Sequence, residues 1–218
     1  MLPPPEEGAY HVLCLGDSLT EGYTKNGTAF WPYADTLNSL LSQEIAKGKH
    51  PLPVVVYNEG VSGDRILGSG MKRRLESCIE EAADADVKFE WVIIMAGIND
   101  IGAPGVSPRD MYTALKGLVT EAAKYAKKVL VMNCMEVAHE VYHPRMLEVV
   151  KAYNALIETS ITQVPGVSFL DMRKEMPYHS VPVEGRKLLF DDGVHLTKEG
   201  YQRMGEIIFS KMKSIGLE

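Results

Sequence analysis

Five short apolar runs, each separated from the next by a longer stretch of helical periodicity, leave this chain very few architectures. The runs cover residues 12–15, 54–57, 91–95, 129–133 and 167–170. Each is continuous rather than alternating, the pattern of a strand covered on both faces in a parallel sheet. Between them, residues 30–46 carry Tyr33, Leu37, Leu40, Leu41 and Ile45 at helical spacing, and residues 70–83 form a shorter, more charged segment. Residues 108–126 follow Ser107, a good cap, with Pro108 at the first helical position. Residues 145–162 carry Leu147, Val150, Tyr153, Leu156, Ile157 and Ile161, and residues 198–215 open after Thr197 and stop at Gly216. Alternation of strand and helix along the whole length predicts an open, doubly wound α/β sheet with right-handed crossovers. A length of 218 residues suits one such domain, expected over 10–218 behind a flexible tail over 1–9 that holds Pro3-Pro4-Pro5.

Charge and cysteine usage exclude several functions. A net charge of −6 argues against nucleic acid as partner, because neutralising phosphates needs a basic face. The one basic run, Lys72-Arg73-Arg74, reads as a solvated helix face. Cys14, Cys78 and Cys134 are far apart and form neither a disulfide framework nor a Cys-x-x-Cys site. The first residues lack the basic flank and apolar run of a signal peptide, and no apolar stretch is long enough to span a bilayer. A cytoplasmic protein without stable membrane insertion is the expectation.

In doubly wound sheets ligands bind beyond the carboxyl ends of the strands. The first strand runs into Gly16-Asp17-Ser18-Leu19, the second into Asn58-Glu59-Gly60-Val61-Ser62-Gly63-Asp64, and the third into Gly97-Ile98-Asn99-Asp100. The fifth leads through a long loop to Asp191-Asp192-Gly193-Val194-His195. A serine hydroxyl becomes a useful nucleophile when a base takes its proton, imidazole suits that task near neutral pH, and an acid on the other ring nitrogen fixes the tautomer. Ser18, His195 and either Asp191 or Asp192 supply these parts. The Ser18 and Gly63 N–H groups and the Asn99 amide are candidate oxyanion donors. Asp17 reads as a residue that holds the turn through nearby backbone N–H groups. Phe30 and Trp31 could line an acyl pocket, but aromatic residues at a helix start read more often as core.

These four segments resemble, in order and spacing, the four blocks of the SGNH (GDSL) hydrolases: Gly16-Asp17-Ser18-Leu19, Gly63, Asn99 and Asp192-Gly193-Val194-His195. The resemblance implies a three-layer α/β/α, flavodoxin-like fold with a five-stranded, mainly parallel sheet. It implies ester hydrolysis through an acyl-enzyme, with Ser18 as nucleophile, His195 as base and Asp192 orienting it. It implies an oxyanion hole from Ser18, Gly63 and Asn99, and no metal or cofactor. The expected partner is a small soluble ester; a carbohydrate O-acetyl ester or a lysophospholipid is the alternative within the family. Homo-oligomerisation is left open.

Two segments of the chain bear on rival functions. His139-Glu140-Val141-Tyr142-His143 fits the His-Glu-x-x-His signature of zinc peptidases, but Pro144 would end the helix the motif needs, and no third ligand stands out. A non-catalytic α/β binding module is the other rival function; no glycine-rich nucleotide loop follows the first strand. Residues 135–144 and 172–190 should overhang the strand ends, where Met176, Pro177, Tyr178, Val181, Pro182 and Val183 would line a substrate pocket or pack on the sheet edge or a second subunit.

Overall fold

The computed structural model describes residues 8–217. Residues 1–7 of the expected tail, and Glu218, lie outside the described residues.

Every apolar run becomes a strand of one parallel sheet: β1 (Tyr10–Gly16), β4 (Val54–Gly60), β5 (Phe89–Met95), β6 (Ala126–Met132) and β7 (Val167–Leu170). Their spatial order is β4-β1-β5-β6-β7. Counted among themselves, the five strands run 2-1-3-4-5, the flavodoxin-like order, whose switch point lies between β1 and β5. The register sets Val12 beside Val56 on one side and Trp91 on the other, and Gly16 beside Gly60 and Met95.

Successive strand residues feed opposite layers, as the pleat requires. Leu13, Leu15, Val92, Ile94, Val129 and Val131 pack against α3 (Gly70–Asp84), α5 (Pro108–Tyr125) and α6 (Pro144–Ser160). Val12, Cys14, Trp91, Ile93, Leu130 and Met132 pack against α2 (Tyr33–Ile45) and α9 (Lys198–Ile215). Both cores are apolar and fully enclosed, which is why the strands read as unbroken hydrophobic runs. Ser107 and Thr197 cap α5 and α9, accepting from Asp110 N–H (3.4 Å) and Gly200 N–H (3.1 Å). No helix of the described residues is long and apolar enough to cross a membrane.

Short elements occupy the carboxyl rim: α1 (Ser18–Glu21), the two-stranded hairpin β2 (Tyr23–Thr24) and β3 (Ala29–Phe30), α4 (Ile98–Ile101), α7 (Met172–Glu175) and α8 (Val183–Leu189). Here the structure departs from expectation. The first long helix starts at Tyr33 behind Pro32, not at residue 30, because Phe30 belongs to the hairpin. Phe30 and Trp31 are therefore exposed and not core.

Candidate active site

Gly16 ends β1 in a tight corner, where an added Cβ would fall 2.1 Å from Thr20 Oγ1 and 2.8 Å from the Met95 carbonyl oxygen. Only glycine lets the chain turn at once into α1. Asp17 caps that helix, accepting from Leu19 N–H at 3.0 Å. Ser18 is its first residue, so its N–H has no helical carbonyl to meet. Ser18 is buried to 5% exposure. Asp17 is wholly buried and its Oδ2 has no hydrogen-bond partner among the described residues; that burial pushes its carboxyl up to about 7.

The far end of the chain meets this serine. Asp192 Oδ1 accepts the N–H groups of Val194 (2.9 Å) and His195 (2.8 Å), which folds the turn back on itself. Asp192 Oδ2 lies 2.7 Å from His195 Nδ1, and His195 Nε2 lies 3.0 Å from Ser18 Oγ. Burial of Asp192 raises its pKa, but the hydrogen bonds from the His195 ring and the two N–H groups outweigh it and hold the carboxyl below its ordinary range. An ionised acceptor keeps the imidazole proton on Nδ1, so Nε2 is free to accept the serine proton. Asp191, the competing acid, faces away and accepts from Lys25 N–H (2.6 Å) and the Thr24 hydroxyl (3.2 Å). The Tyr23 ring covers the imidazole, with centroids 4.5 Å apart.

Gly63 and Asn99 sit on two loops tied to the same corner. Residues 61–64 make a turn closed by Asp64 N–H to the Val61 carbonyl (3.1 Å), with Gly63 at φ +78° in the position where a type II turn demands glycine. An added Cβ at Gly63 would meet nothing within 4 Å, so its backbone borders open space. Asn99 donates one amide N–H to the Asp64 carbonyl (2.9 Å), which leaves the second for another acceptor. Asp100 accepts from Ile66 N–H (2.9 Å) and Leu67 N–H (3.2 Å), fixing the intervening loop. Glu21 of α1 accepts from Ser62 N–H at 2.9 Å and from the Ser62 hydroxyl.

Arg74 was not foreseen. The basic run reads as a solvated face, and Lys72 and Arg73 are exposed, but the Arg74 side chain turns inward. It donates to the Gly16 carbonyl (2.7 Å) and the Glu59 carbonyl (3.2 Å) and pairs with Asp64. One guanidinium thus ties the corner at Gly16 and Ser18 to the Gly63 loop. The signal was its place in α3, three residues beyond the buried Met71 and one before the buried Leu75.

The His-Glu-x-x-His segment is not a helix. Glu140–Tyr142 form a single 3₁₀ turn, and Pro144 starts α6 where it was expected to end a helix. Glu140 is buried against Arg173, with Nη1 3.2 Å from Oε2 and a second contact at Oε1. A carboxylate so paired cannot serve as base to a metal-bound water, and the zinc-peptidase alternative loses its premise. Of the overhanging segments, Met176 is buried in the α2/α9 layer and Tyr178 packs edge-on against Phe190, with centroids 4.9 Å apart, whereas Val183 is exposed. Ala138 N–H donates to the Gly193 carbonyl at 2.8 Å, so residues 135–144 brace the turn that carries Asp192 and His195.

Residues 14–203 match the GDSL-like lipase/acylhydrolase family. An acetylxylan esterase of Xylanibacter ruminicola is 23% identical over 233 aligned residues, covering 97% of this chain but 45% of that protein. The chain thus spans about half the length of that relative. A catalytic mutant of Axe2, an acetylxylan esterase from Geobacillus stearothermophilus, has a TM-score of 0.68 at 22% identity, covering 97% of this chain and 96% of that one. The lipase/acylhydrolase from Enterococcus faecalis has a TM-score of 0.66 at 22% identity, covering 94% and 96%. Structural likeness at such identities establishes a shared fold.

Proposed function

The chain belongs to the GDSL-like lipase/acylhydrolase family, and on that premise we propose that it hydrolyses carboxylic esters through a serine acyl-enzyme. The observation that carries the proposal is the line of contacts from Ser18 Oγ to His195 Nε2 (3.0 Å) and from His195 Nδ1 to Asp192 Oδ2 (2.7 Å).

The hydroxyl of Ser18 attacks the ester carbonyl while its proton passes to His195 Nε2. Asp192, held ionised, stabilises the imidazolium that results. The carbonyl oxygen becomes an oxyanion facing the Ser18 N–H, the Gly63 N–H and the unused amide N–H of Asn99. The bond from carbon to the alcohol oxygen then breaks, and the proton on Nε2 goes to the departing alkoxide. Water attacks the acyl-serine by the same route, giving up its proton to His195 and releasing the acid and free Ser18. The substrate class is a short-chain or small soluble ester. The acetylxylan esterase relative favours a carbohydrate O-acetyl ester as the second reading.

Ser18→Ala tests the core of this reading. Turnover of 4-nitrophenyl acetate should fall by at least about 1,000-fold with the fold intact by circular dichroism. Unchanged turnover in the folded variant would reject Ser18 as nucleophile.

A further inference from the structure

The proton on His195 must reach the departing alkoxide, so the alcohol half of the ester lies on the His195 side of Ser18. What flanks His195 there is aromatic. Tyr23 lies against the imidazole, and Phe30 meets Tyr23 edge-on with centroids 6.0 Å apart. Trp31 follows directly, its N–H donating to the Gly22 carbonyl at 2.8 Å. Phe30 is 47% exposed and Trp31 39%, whereas Tyr33, two residues on, is wholly buried. Folding has no use for two adjacent aromatic side chains left in water, and Phe30 meets the ring that lies against His195.

We propose that the β2–β3 hairpin and Trp31 form the subsite for the alcohol half of the substrate, and that this subsite stacks the pyranose ring of a carbohydrate ester. The proposal rests on the serine–histidine reading above. Three observations favour a sugar over an alkyl alcohol. First, the ledge is rigid. Two-residue strands are not stable alone, and these are held by Asp191 accepting from Thr24 and Lys25, and by the Tyr201 hydroxyl donating to the Tyr23 carbonyl at 2.7 Å. Second, the ledge is mixed. Lys25, Asn26 and Thr28 are exposed at its tip, and the Lys198 ammonium lies 4.5 Å over the Trp31 ring. A pyranose offers a face of C–H bonds to the negative face of an aromatic ring and a rim of hydroxyls to such polar groups. An alkyl alcohol would leave the polar groups unused. Third, the ledge is built into the catalytic turn, since Asp191 and Lys198 flank Asp192 and His195 in sequence. A ring held there has its ester oxygen next to the imidazole that must protonate it.

Trp31 is its own reporter, because the chain has two tryptophans and the other, Trp91, is 1% exposed. In the Ser18→Ala protein, a methyl xylopyranoside carrying one O-acetyl group should shield tryptophan fluorescence from acrylamide, and Trp31→Phe should abolish the signal. In the active enzyme, Trp31→Ala and Phe30→Ala should each lower kcat/KM on that sugar ester about tenfold while ethyl acetate, whose alcohol carries no ring to stack, stays within about twofold. Trp31→Phe, which keeps a stacking ring, should retain most of the sugar activity. Equal losses on both esters, no loss on the sugar ester, or a larger loss on cyclohexyl acetate than on the sugar ester would overturn the assignment. So would shielding of Trp31 by rising protein concentration alone, which would mark a contact between two copies. Fluorophosphonate labelling of Ser18 and ethyl acetate turnover test the serine reading separately. Sugar binding in a protein inert to both leaves the subsite standing and removes the hydrolase. Labelling and turnover without sugar binding do the reverse.

Discussion

Two carboxylate–histidine clusters sit on the same rim and are built with the same device. Asp192 accepts the N–H groups of Val194 and His195; Glu136 accepts those of Tyr178 (2.8 Å) and His179 (2.9 Å). In both, burial pushes the carboxyl up and the hydrogen bonds bring it below its ordinary range, helped at Glu136 by Arg173. They part at the ring: Asp192 also reaches His195 Nδ1 (2.7 Å), whereas the bonds to Glu136 come from the backbone and the carboxylate nearest the His179 ring is Glu140, 3.7 Å from Nε2. His179 Nε2 lies 3.1 Å from the Val137 carbonyl, which can only accept, so that nitrogen must hold a proton. His195 Nε2 faces a hydroxyl, which can donate. The second cluster also carries a permanent cation, Arg173, paired with Glu140 and 3.8 Å from Glu136. An acid beside a histidine is therefore not chemistry by itself; what counts is whether one ring nitrogen meets the acid while the other meets a hydroxyl that can give up its proton.

The largest test of that distinction is Asp192→Asn. The amide still fits the turn but no longer holds the proton on Nδ1, so kcat should fall by about 10⁴, or about 5.5 kcal/mol of transition-state stabilisation. His179→Ala should leave kcat within about twofold, since its ring is committed to a carbonyl. Steady-state kinetics on one ester, with folded protein verified by near-UV circular dichroism, decides both. Comparable losses in the two variants would erase the difference between the clusters.

A third carboxylate sharpens the contrast. Asp17, next to Ser18, has one backbone N–H for Oδ1 and no partner among the described residues for Oδ2, and burial pushes it up to about 7. A folded-state pKa above the unfolded value near 4 means that stability is full below pH 4 and is lost as pH rises to about 7, by an amount on the order of 4 kcal/mol. Asp17→Asn keeps the cap and removes the titration. The difference in unfolding free energy between variant and wild type, from urea melts between pH 4 and 8, should move in favour of the variant with rising pH and level off above 7. A difference that does not change with pH would mean that the folded environment supports the charge as well as water does.

What was legible in the sequence follows from which forces act locally. Strands buried on both faces must be apolar throughout, so all five were readable, though β1 begins two residues early at Tyr10 and β6 stops at Met132 because Asn133 turns to bond Asp171. Glycine and a small polar residue at a strand end are local demands, which made Ser18, Gly63, Asn99, Asp192 and His195 visible as candidates. The β2–β3 hairpin was not, because two-residue strands carry no periodicity; Asn26-Gly27 between Tyr23 and Phe30 was the signal available. Arg74 and Arg173 were missed for a different reason. Each is worth noticing only for carbonyls and acids brought to it by distant parts of the chain, and no window of sequence holds both sides of such a contact.

The mildest test falls on the Arg173 cluster. Glu140 is 2% exposed in its side chain and Arg173 18%, so Glu140→Gln strands a largely buried guanidinium and should cost about 3 kcal/mol of stability. Replacing both residues, Glu140→Leu with Arg173→Met, removes the charges together and should recover most of that loss, giving a coupling of about 2 kcal/mol in the double-mutant cycle. The activity of the molecules still folded should stay within about twofold of wild type. The cluster reaches the Asp192–His195 turn through the Ala138–Gly193 bond, but that turn is anchored independently by Asp191 on Thr24 and Lys25 and by the Thr197 hydroxyl on the Leu188 carbonyl. Loosening one of three anchors should leave His195 in place. A loss of kcat in Glu140→Gln at unchanged stability would mean instead that the Arg173 cluster holds the imidazole, and the two clusters would have to be treated as one site.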